Sequence, residues 1–419
     1  MKVAAVITEY NPFHNGHLYQ LETIRQRYGA DHIIVIMSGD FIQRGGPAFT
    51  DKYLRTRMAL LGGADLVIEL PTPFATSESS VFARGAVHLL DRLGVVDRLF
   101  FGCETCEPFF FNACSDILIE EPKVFRNTLK EAVKNGASFP RARAYALSEA
   151  YNAAHPGQYL PQTFLSSPNN ILALEYYLAL KQEQSAIQPM PLLRKGAGYH
   201  DKAINGTFAS ATGIRKALLN DDPSGFPLSE AVPPYVLGSL DQAFGIRCPI
   251  IDDDFSQIFA SAFLSGRLHP EEMENCYFGK TMYRRMLRQF DGYTVLSDYL
   301  SQLKTKSWTR TRIDRSVFRM MLHIPRDYGR RLLEEHDHPW EYIRILGFRK
   351  DSTGLLHRIK ATSQAPLISK MADAPQKLPS EALSVLDKDI YAADLYRYVQ
   401  QSKFHTVLKN EWRQPIIQV

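Results

Sequence analysis

Hydrophobic and polar positions follow two periods through the first hundred residues. Apolar runs at Val3 to Thr8, His32 to Met37, Asp65 to Leu70 and Arg98 to Phe101 each stop at Gly, Pro or a polar loop, as buried strands do. Between them, Leu18, Leu21 and Ile24 recur at helical spacing in a segment starting near Asn15, and Lys52 to Leu61 reads as a second helix. Strands alternating with helices predict an α/β protein with a parallel sheet, whose ligands sit beyond the carboxyl ends of the strands. The pattern continues with a largely helical Glu120 to Ala154, a Ser-Ser-Pro-Asn-Asn cap before an apolar helix ending at Leu180, and a strand at Pro189 to Leu193.

From Pro223 to Pro234 the chain gathers Pro, Ser and Gly, and long helical patterns follow over Pro249 to Leu264 and Thr281 to Leu303. This change of pattern predicts two domains, 1–220 and a mostly helical 221–419. Near the C-terminus, Tyr342 to Phe348 is strand-like and Leu367 to Lys370 can pair with it, while Ile390 to Gln400 is helical. No internal repeat is visible.

A hydrophobic content of 45% and a charged content of 22% are ordinary for a soluble globular chain, and no run approaches the roughly 20 apolar residues of a membrane span. The apolar start is followed by Glu9 and Pro12, so it reads as a strand rather than a signal peptide. Five cysteines, an odd number in a large chain, predict unpaired thiols in a reducing compartment, the cytoplasm. Cys103 and Cys106 form one CxxC without a second pair at ligand spacing, so no metal site is expected.

The strongest chemical signal is His14-Asn15-Gly16-His17, between the first strand and a helix, where backbone N–H groups and the helix dipole favour an anion. Gly16 lets the chain approach a nucleotide closely, and imidazole N–H groups stabilise charge growing on phosphate oxygens. The plain alternative is that the two histidines cap the helix. A second segment, Phe208 to Arg215, holds Ser210 and Thr212 as hydroxyls and Arg215 as a planar donor fork, all suited to phosphate.

HxGH after the first strand, with a Ser/Thr segment ending in Arg before a helix, resembles the nucleotidyltransferase superfamily that includes the class I aminoacyl-tRNA synthetases. The segments ITEYNPFHNGH, MSGDFIQRGGPA, GADLVIELP, FFGCE and SSPNNILALEY together look like the bacterial tRNA(Met) cytidine acetate ligase family. That resemblance implies a Rossmann-like nucleotidyltransferase sheet in 1–220 that binds ATP, and a tRNA-binding 221–419. It implies formation of acetyl-adenylate from acetate and ATP, then transfer of acetyl to N4 of the wobble cytidine of elongator tRNA(Met), with Mg2+ accompanying the triphosphate. The ATP loop it implies comprises Ile7, Thr8, Glu9, Tyr10, Asn11, Pro12, Phe13, His14, Asn15, Gly16, His17, Leu18, Tyr19 and Gln20. Gly102, Asn169 (or its neighbour Asn170) and Arg194 are further nucleotide contacts, and Ser210, Thr212 and Arg215 hold the triphosphate. Two positions depart from the family pattern: Gly46 stands where Glu is expected, and Cys103 where Ser is usual, which bears on contacts around Arg44.

Charge is concentrated in one stretch: between Thr281 and Arg331 twelve Lys or Arg face four Asp, a local excess of +8, leaving −4 for the remainder. Arg312, Arg315 and Arg319 fall on one helical face near Trp308 and Phe318, and with Arg310 they are the candidates for a phosphate backbone. A solvated face is the plain alternative. The other functional readings are a small-molecule nucleotidyltransferase and a non-catalytic RNA-binding module.

Overall fold

The computed structural model describes residues 1–194, 208–219 and 227–419. The predicted strands form as Val3–Thr8 (β1), His32–Ser38 (β2), Leu66–Leu70 (β3), Arg98–Cys103 (β4) and Gln188–Leu193 (β5), all parallel in the order β5-β4-β1-β2-β3. Successive residues serve opposite faces of this sheet. Val3, Ala5 and Ile7 enter one core with Ile34 and Ile36, whereas Ala4 and Val6 enter another with Ile33 and Val35. A sheet buried on both sides needs continuous apolar runs, which is why the sequence shows them.

The chain moves from β1 to β2 and β3 on one side, then returns to place β4 on the other side of β1. The carboxyl ends of β1 and β4 therefore flank the point where strand order reverses, the crevice in which open α/β sheets bind ligands. His14 follows β1, and Gly102 lies at the end of β4.

The sheet does not end with the first half of the chain. Ile343–Phe348 (β6) pairs antiparallel with β3, and both Leu367–Ile368 (β7) and Ile417–Gln418 (β8) pair parallel with β6. The expected strand pairing near the C-terminus forms, but it extends the sheet of the first half and makes it mixed rather than wholly parallel. Strands β6, β7 and β8 of 221–419 thus belong structurally to the α/β layer. The beginning of the composition break, at Pro223, lies outside the described residues.

The intervening helices build a third core around Phe259, Phe263, Tyr283, Tyr299 and Phe318. The expected helix over Thr281 to Leu303 is two helices, Lys280–Gln289 and Leu296–Leu303, broken near Asp291 and Gly292. Phe41, from the loop after β2, is buried in this core, as are Ala392, Tyr396 and Val399 of the long helix Ser380–Phe404. Helical region and sheet are consequently joined by the same loop that leaves the carboxyl end of β2.

Candidate functional site

After β1 the chain turns through Tyr10, whose φ of 46° lies in the left-handed region that non-glycine residues rarely enter. Surrounding contacts hold it there. Tyr10 and Phe13 are buried with ring centroids 4.8 Å apart, so their side chains support the loop from the core side. Arg55, fully buried, donates Nη1 to the carbonyls of Glu9 (2.7 Å) and Ser38 (3.0 Å), and Nη2 to that of Gly39. It ties the ends of β1 and β2 together. Sequence reading passed over this residue because nothing local separates it from a surface arginine of an amphipathic helix.

The two histidines do cap the helix Asn15–Gln26, and the cap sets their chemistry. His14 Nδ1 accepts from the Gly16 N–H (3.0 Å), and His17 Nδ1 accepts from the His14 N–H (3.2 Å). An acceptor Nδ1 in a neutral imidazole puts the proton on Nε2, so both rings carry an Nε2–H donor. The rings stack with centroids 3.7 Å apart. Burial first, then Arg194 and Arg215, pull the His14 pKa down to about 3. Burial, His14 and Arg194 hold His17 well below its usual value. Both imidazoles are therefore neutral at physiological pH.

A depressed histidine pKa makes stability depend on pH with a definite sign. Below about pH 6.5 the unfolded chain takes up a proton that folded His14 does not accept until about pH 3, so acidification destabilises the fold. The His14 contribution between pH 6.5 and 5 is about 2 kcal/mol. His14→Asn keeps a capping acceptor without the titrating ring. Its Tm is expected to fall less than that of the wild type between pH 7 and 5, and parallel curves would refute the assignment.

Arg215 Nη1 donates to the Asn11 carbonyl (2.7 Å) and Nη2 to Thr212 Oγ1 (3.3 Å), while Ser210 Oγ caps the helix Ala211–Leu218 through Gly213 N–H (3.1 Å). This brings the segment Phe208 to Arg215 onto the HxGH loop, with Arg215 and Asn11 204 residues apart in sequence. Gly102 lies under Arg194: a Cβ there would meet Arg194 Cγ at 3.0 Å. Asn169 Nδ2 donates to Glu104 Oε1 (2.6 Å), and Asn170 Oδ1 accepts from the Glu104 and Thr105 N–H groups. Of the two asparagines, Asn170 is buried and Asn169 is half-buried. Glu104, absent from the sequence-based candidates, orients both.

The four basic candidates separate. Arg312 stacks over Trp308 at 4.0 Å, and Arg315 Nη1 reaches the Gln43 carbonyl at 3.5 Å. Both line a cavity of about 330 Å3 with Arg326 and Arg330. Arg319 lines the same cavity, as its spacing predicts, but is buried: Nη1 donates to Ser77 Oγ (2.7 Å) and the Pro73 carbonyl (3.1 Å), which ties the two layers together. Arg310 is held between two carboxylates, Nε to Asp314 Oδ1 (2.6 Å) and Nη2 to Asp252 Oδ2 (3.2 Å).

With this geometry in hand, the similarity to known proteins can be placed. The HIGH Nucleotidyl Transferase family model matches residues 1–411. A tRNA(Met) cytidine acetate ligase of Acetivibrio thermocellus is 36% identical over 422 residues, with 100% of both chains covered. One of Caldanaerobacter subterraneus is 35% identical over 421 residues, again with 100% of both covered. The chain belongs to the tRNA(Met) cytidine acetate ligase family. Among solved structures, apo Thermotoga maritima TmcAL superposes with a TM-score of 0.90 at 29% identity, covering 100% of both chains. The same protein bound with alpha-thio ATP gives 0.88 at 28% identity, also over 100% of both.

The two departures from the family pattern have structural counterparts. A Cβ at Gly46 would lie 2.8 Å from Asp252 Oδ1, so the carboxylate of Asp252 occupies the room of a side chain at 46. Cys103 is buried and its sulfur is bonded to that of Cys106, which corrects the expectation of five unpaired thiols; Cys114, Cys248 and Cys276 are free. Among the described residues, His88, His338 and Glu341 are close enough to share a metal ion. His88, however, bonds Glu183 through Nδ1 and Glu341 through Nε2, each at 2.7 Å. Burial lowers its pKa, but the two carboxylates outweigh burial and raise it, so an imidazolium ion-pair tie describes this cluster. No helix among the described residues is long and apolar enough to cross a membrane.

Proposed function

We propose that this chain condenses acetate with ATP to acetyl-adenylate and pyrophosphate, then transfers the acetyl group to N4 of the wobble cytidine of elongator tRNA(Met) in the cytoplasm. The observation that carries this reading is the pair of neutral imidazoles at the start of the first helix, each fixed as an Nε2–H donor beside Arg194 and Arg215. It is supported by full-length similarity to curated ligases and to a solved relative that binds an ATP analogue.

The triphosphate lies across the N-terminus of the helix Asn15–Gln26, where the helix dipole attracts it. Ser210, Thr212 and Arg215 take the β- and γ-phosphates, and Gly102 and Asn169 border the adenosine. An acetate oxygen attacks the α-phosphorus as the bond to pyrophosphate breaks. Charge growing on the α-phosphate oxygens is met by the two Nε2–H groups and Arg194. Donors already oriented by their own caps need no reorganisation at the moment of reaction. These donors are neutral or cationic, so they fit phosphate oxygens rather than a bare cation. Mg2+ would therefore be held by the triphosphate rather than by these side chains, and would neutralise phosphate charge there.

Arg312 and Arg315, with neighbouring Arg326 and Arg330, offer a cationic surface to the tRNA backbone. The test is mass spectrometry of nucleosides from unmodified tRNA(Met) incubated with protein, ATP, Mg2+ and labelled acetate. Labelled N4-acetylcytidine is expected. Nucleotide turnover without it would point instead to a small-molecule nucleotidyltransferase, and no turnover to a binding module.

A further inference from the structure

A second cavity, about 370 Å3, opens between the HxGH loop and the basic helix Arg310–Met321. That volume falls within the roughly 300–1,000 Å3 of small-ligand sites. Asn11 and Arg215, which meet through the 2.7 Å bond described above, form its wall toward the nucleotide. Arg44 and Gly46 come from the loop after β2, and Asp252 and Asp314 from the helical region. The loop and the basic helix are in register because Gly45, at φ 100°, lies where any Cβ would overlap the Arg315 backbone.

Asp252 and Asp314 line the opposite side of the cavity, and Arg310 joins the two. Arg310 bonds Asp314 on its own helix and Asp252 on the turn Asp252–Phe255. Asp314 is largely buried, with 14% of its side chain exposed, whereas 32% of Asp252 is exposed. One guanidinium thus serves two carboxylates, leaving the pair with more acceptor capacity than Arg310 uses.

We propose that this cavity receives the acceptor cytosine, and that the Asp252–Arg310–Asp314 trio binds its exocyclic amine and takes the proton released on acylation. The inference rests on the ligase reading above and assigns its second step. A carboxylate is the natural acceptor for cytosine N4–H, and loop nucleotides of RNA can be splayed into a protein pocket without breaking a duplex. In the step itself, N4 forms a bond to the acetyl carbonyl carbon, the carbon–oxygen bond to AMP breaks, and AMP leaves with that electron pair. The N4 proton passes to the carboxylate pair. Arg310 is a positioning residue that holds the two acids on one side of the base.

The charges facing the pair suit it to this work. Burial raises Asp314 to about 7, with Asp252 adding to the rise and Arg310 and Arg315 opposing it. Burial likewise raises Asp252, against Arg310 and Arg215 and with Asp253 adding to the rise. Arg44 lines the same cavity. A base that titrates near working pH is effective, and two coupled acids titrate as a unit.

The experiment separates the two half-reactions of the full-length protein in Asp252→Asn, Asp314→Asn and Gly46→Ala. Acetate-dependent ATP–pyrophosphate exchange is expected to stay within about twofold of wild type, while single-turnover transfer to tRNA falls about 100-fold in the Asp variants, the scale of lost general-base catalysis. Gly46→Ala crowds Asp252 without removing a carboxylate and is expected to show the same split, more weakly. Wild-type transfer should rise with pH to a plateau above about 7, a limb lost in Asp314→Asn. Transfer at wild-type rate in both Asp variants overturns the proposal. So does a parallel loss of exchange with a raised KM for acetate, which would make the cavity an acetate site. Absence of acetate-dependent exchange in the wild type would instead overturn the ligase reading itself.

Discussion

His17→Ala is expected to lower acetate-dependent pyrophosphate release by about 10²–10³-fold, which is ~3–4 kcal/mol of transition-state stabilisation, the scale for deleting one oriented donor at a site of developing charge. The expectation follows from the cap. His17 Nδ1 is occupied by the His14 N–H, so the side chain presents one donor, Nε2–H, and alanine removes it entirely. The cost in stability is smaller. The orphaned His14 N–H sits at a helix terminus, where losing a cap costs about 1 kcal/mol. A pyrophosphate assay with and without acetate, read beside the Tm of the variant, separates the two effects. Undiminished release in a folded variant would remove His17 from the mechanism. Because both imidazoles are held neutral by burial and by Arg194, imidazole titration should contribute no step to the adenylation rate between about pH 5 and 8.

The same observations show what a sequence can carry. Strands β1 to β4 were legible because a doubly covered sheet demands unbroken apolar runs, and HxGH was legible because its residues are contiguous. The helical spacing of Arg312, Arg315 and Arg319 was read correctly, yet burial of Arg319 against Ser77 and Pro73 depends on a partner layer that no local pattern records. β6 was visible as an apolar run, but its place beside β3 is a pairing between distant segments. The two-residue strand β8 is too short for periodicity to detect. Asp252 and Asp314 carry no local signal for a similar reason: an acid looks like a surface residue until the fold places it beside a second acid and a shared arginine.

Glu411→Ala is expected to destabilise the fold by about 3–5 kcal/mol, the cost of breaking a buried ion pair from one side. Glu411 is buried near the C-terminus and completes a network that joins four separate segments. Lys52 Nζ lies 2.8 Å from Glu69 and 2.9 Å from Glu411, and Arg344 Nη1 lies 2.8 Å from Glu69 while Nη2 bonds Glu411. Two buried cations thus share two carboxylates, and Tyr53 Oη adds a 3.0 Å bond to Glu411. Removing Glu411 leaves Arg344 with Glu69, and Lys52 with Glu69 and the more distant Asp40 at 3.8 Å. Burial would raise the Glu411 pKa, but Arg344 and Lys52 outweigh it and hold the group at about 2. Its contribution is therefore fully present above about pH 4.5 and is lost as pH falls toward 2. Denaturant titration at neutral pH should show the loss, and the gap between variant and wild type should narrow as pH falls toward about 3. Glu411→Gln, which keeps the shape and one acceptor oxygen, should lie between the two, and a variant as stable as wild type would mean that the network is solvated rather than buried. Since Lys52 and Arg55 lie on the same helix, and Arg55 holds the Glu9 carbonyl, loss of the C-terminal anchor is also expected to loosen the HxGH loop. A fall in pyrophosphate exchange that tracks the fall in stability across the two variants would mark that coupling.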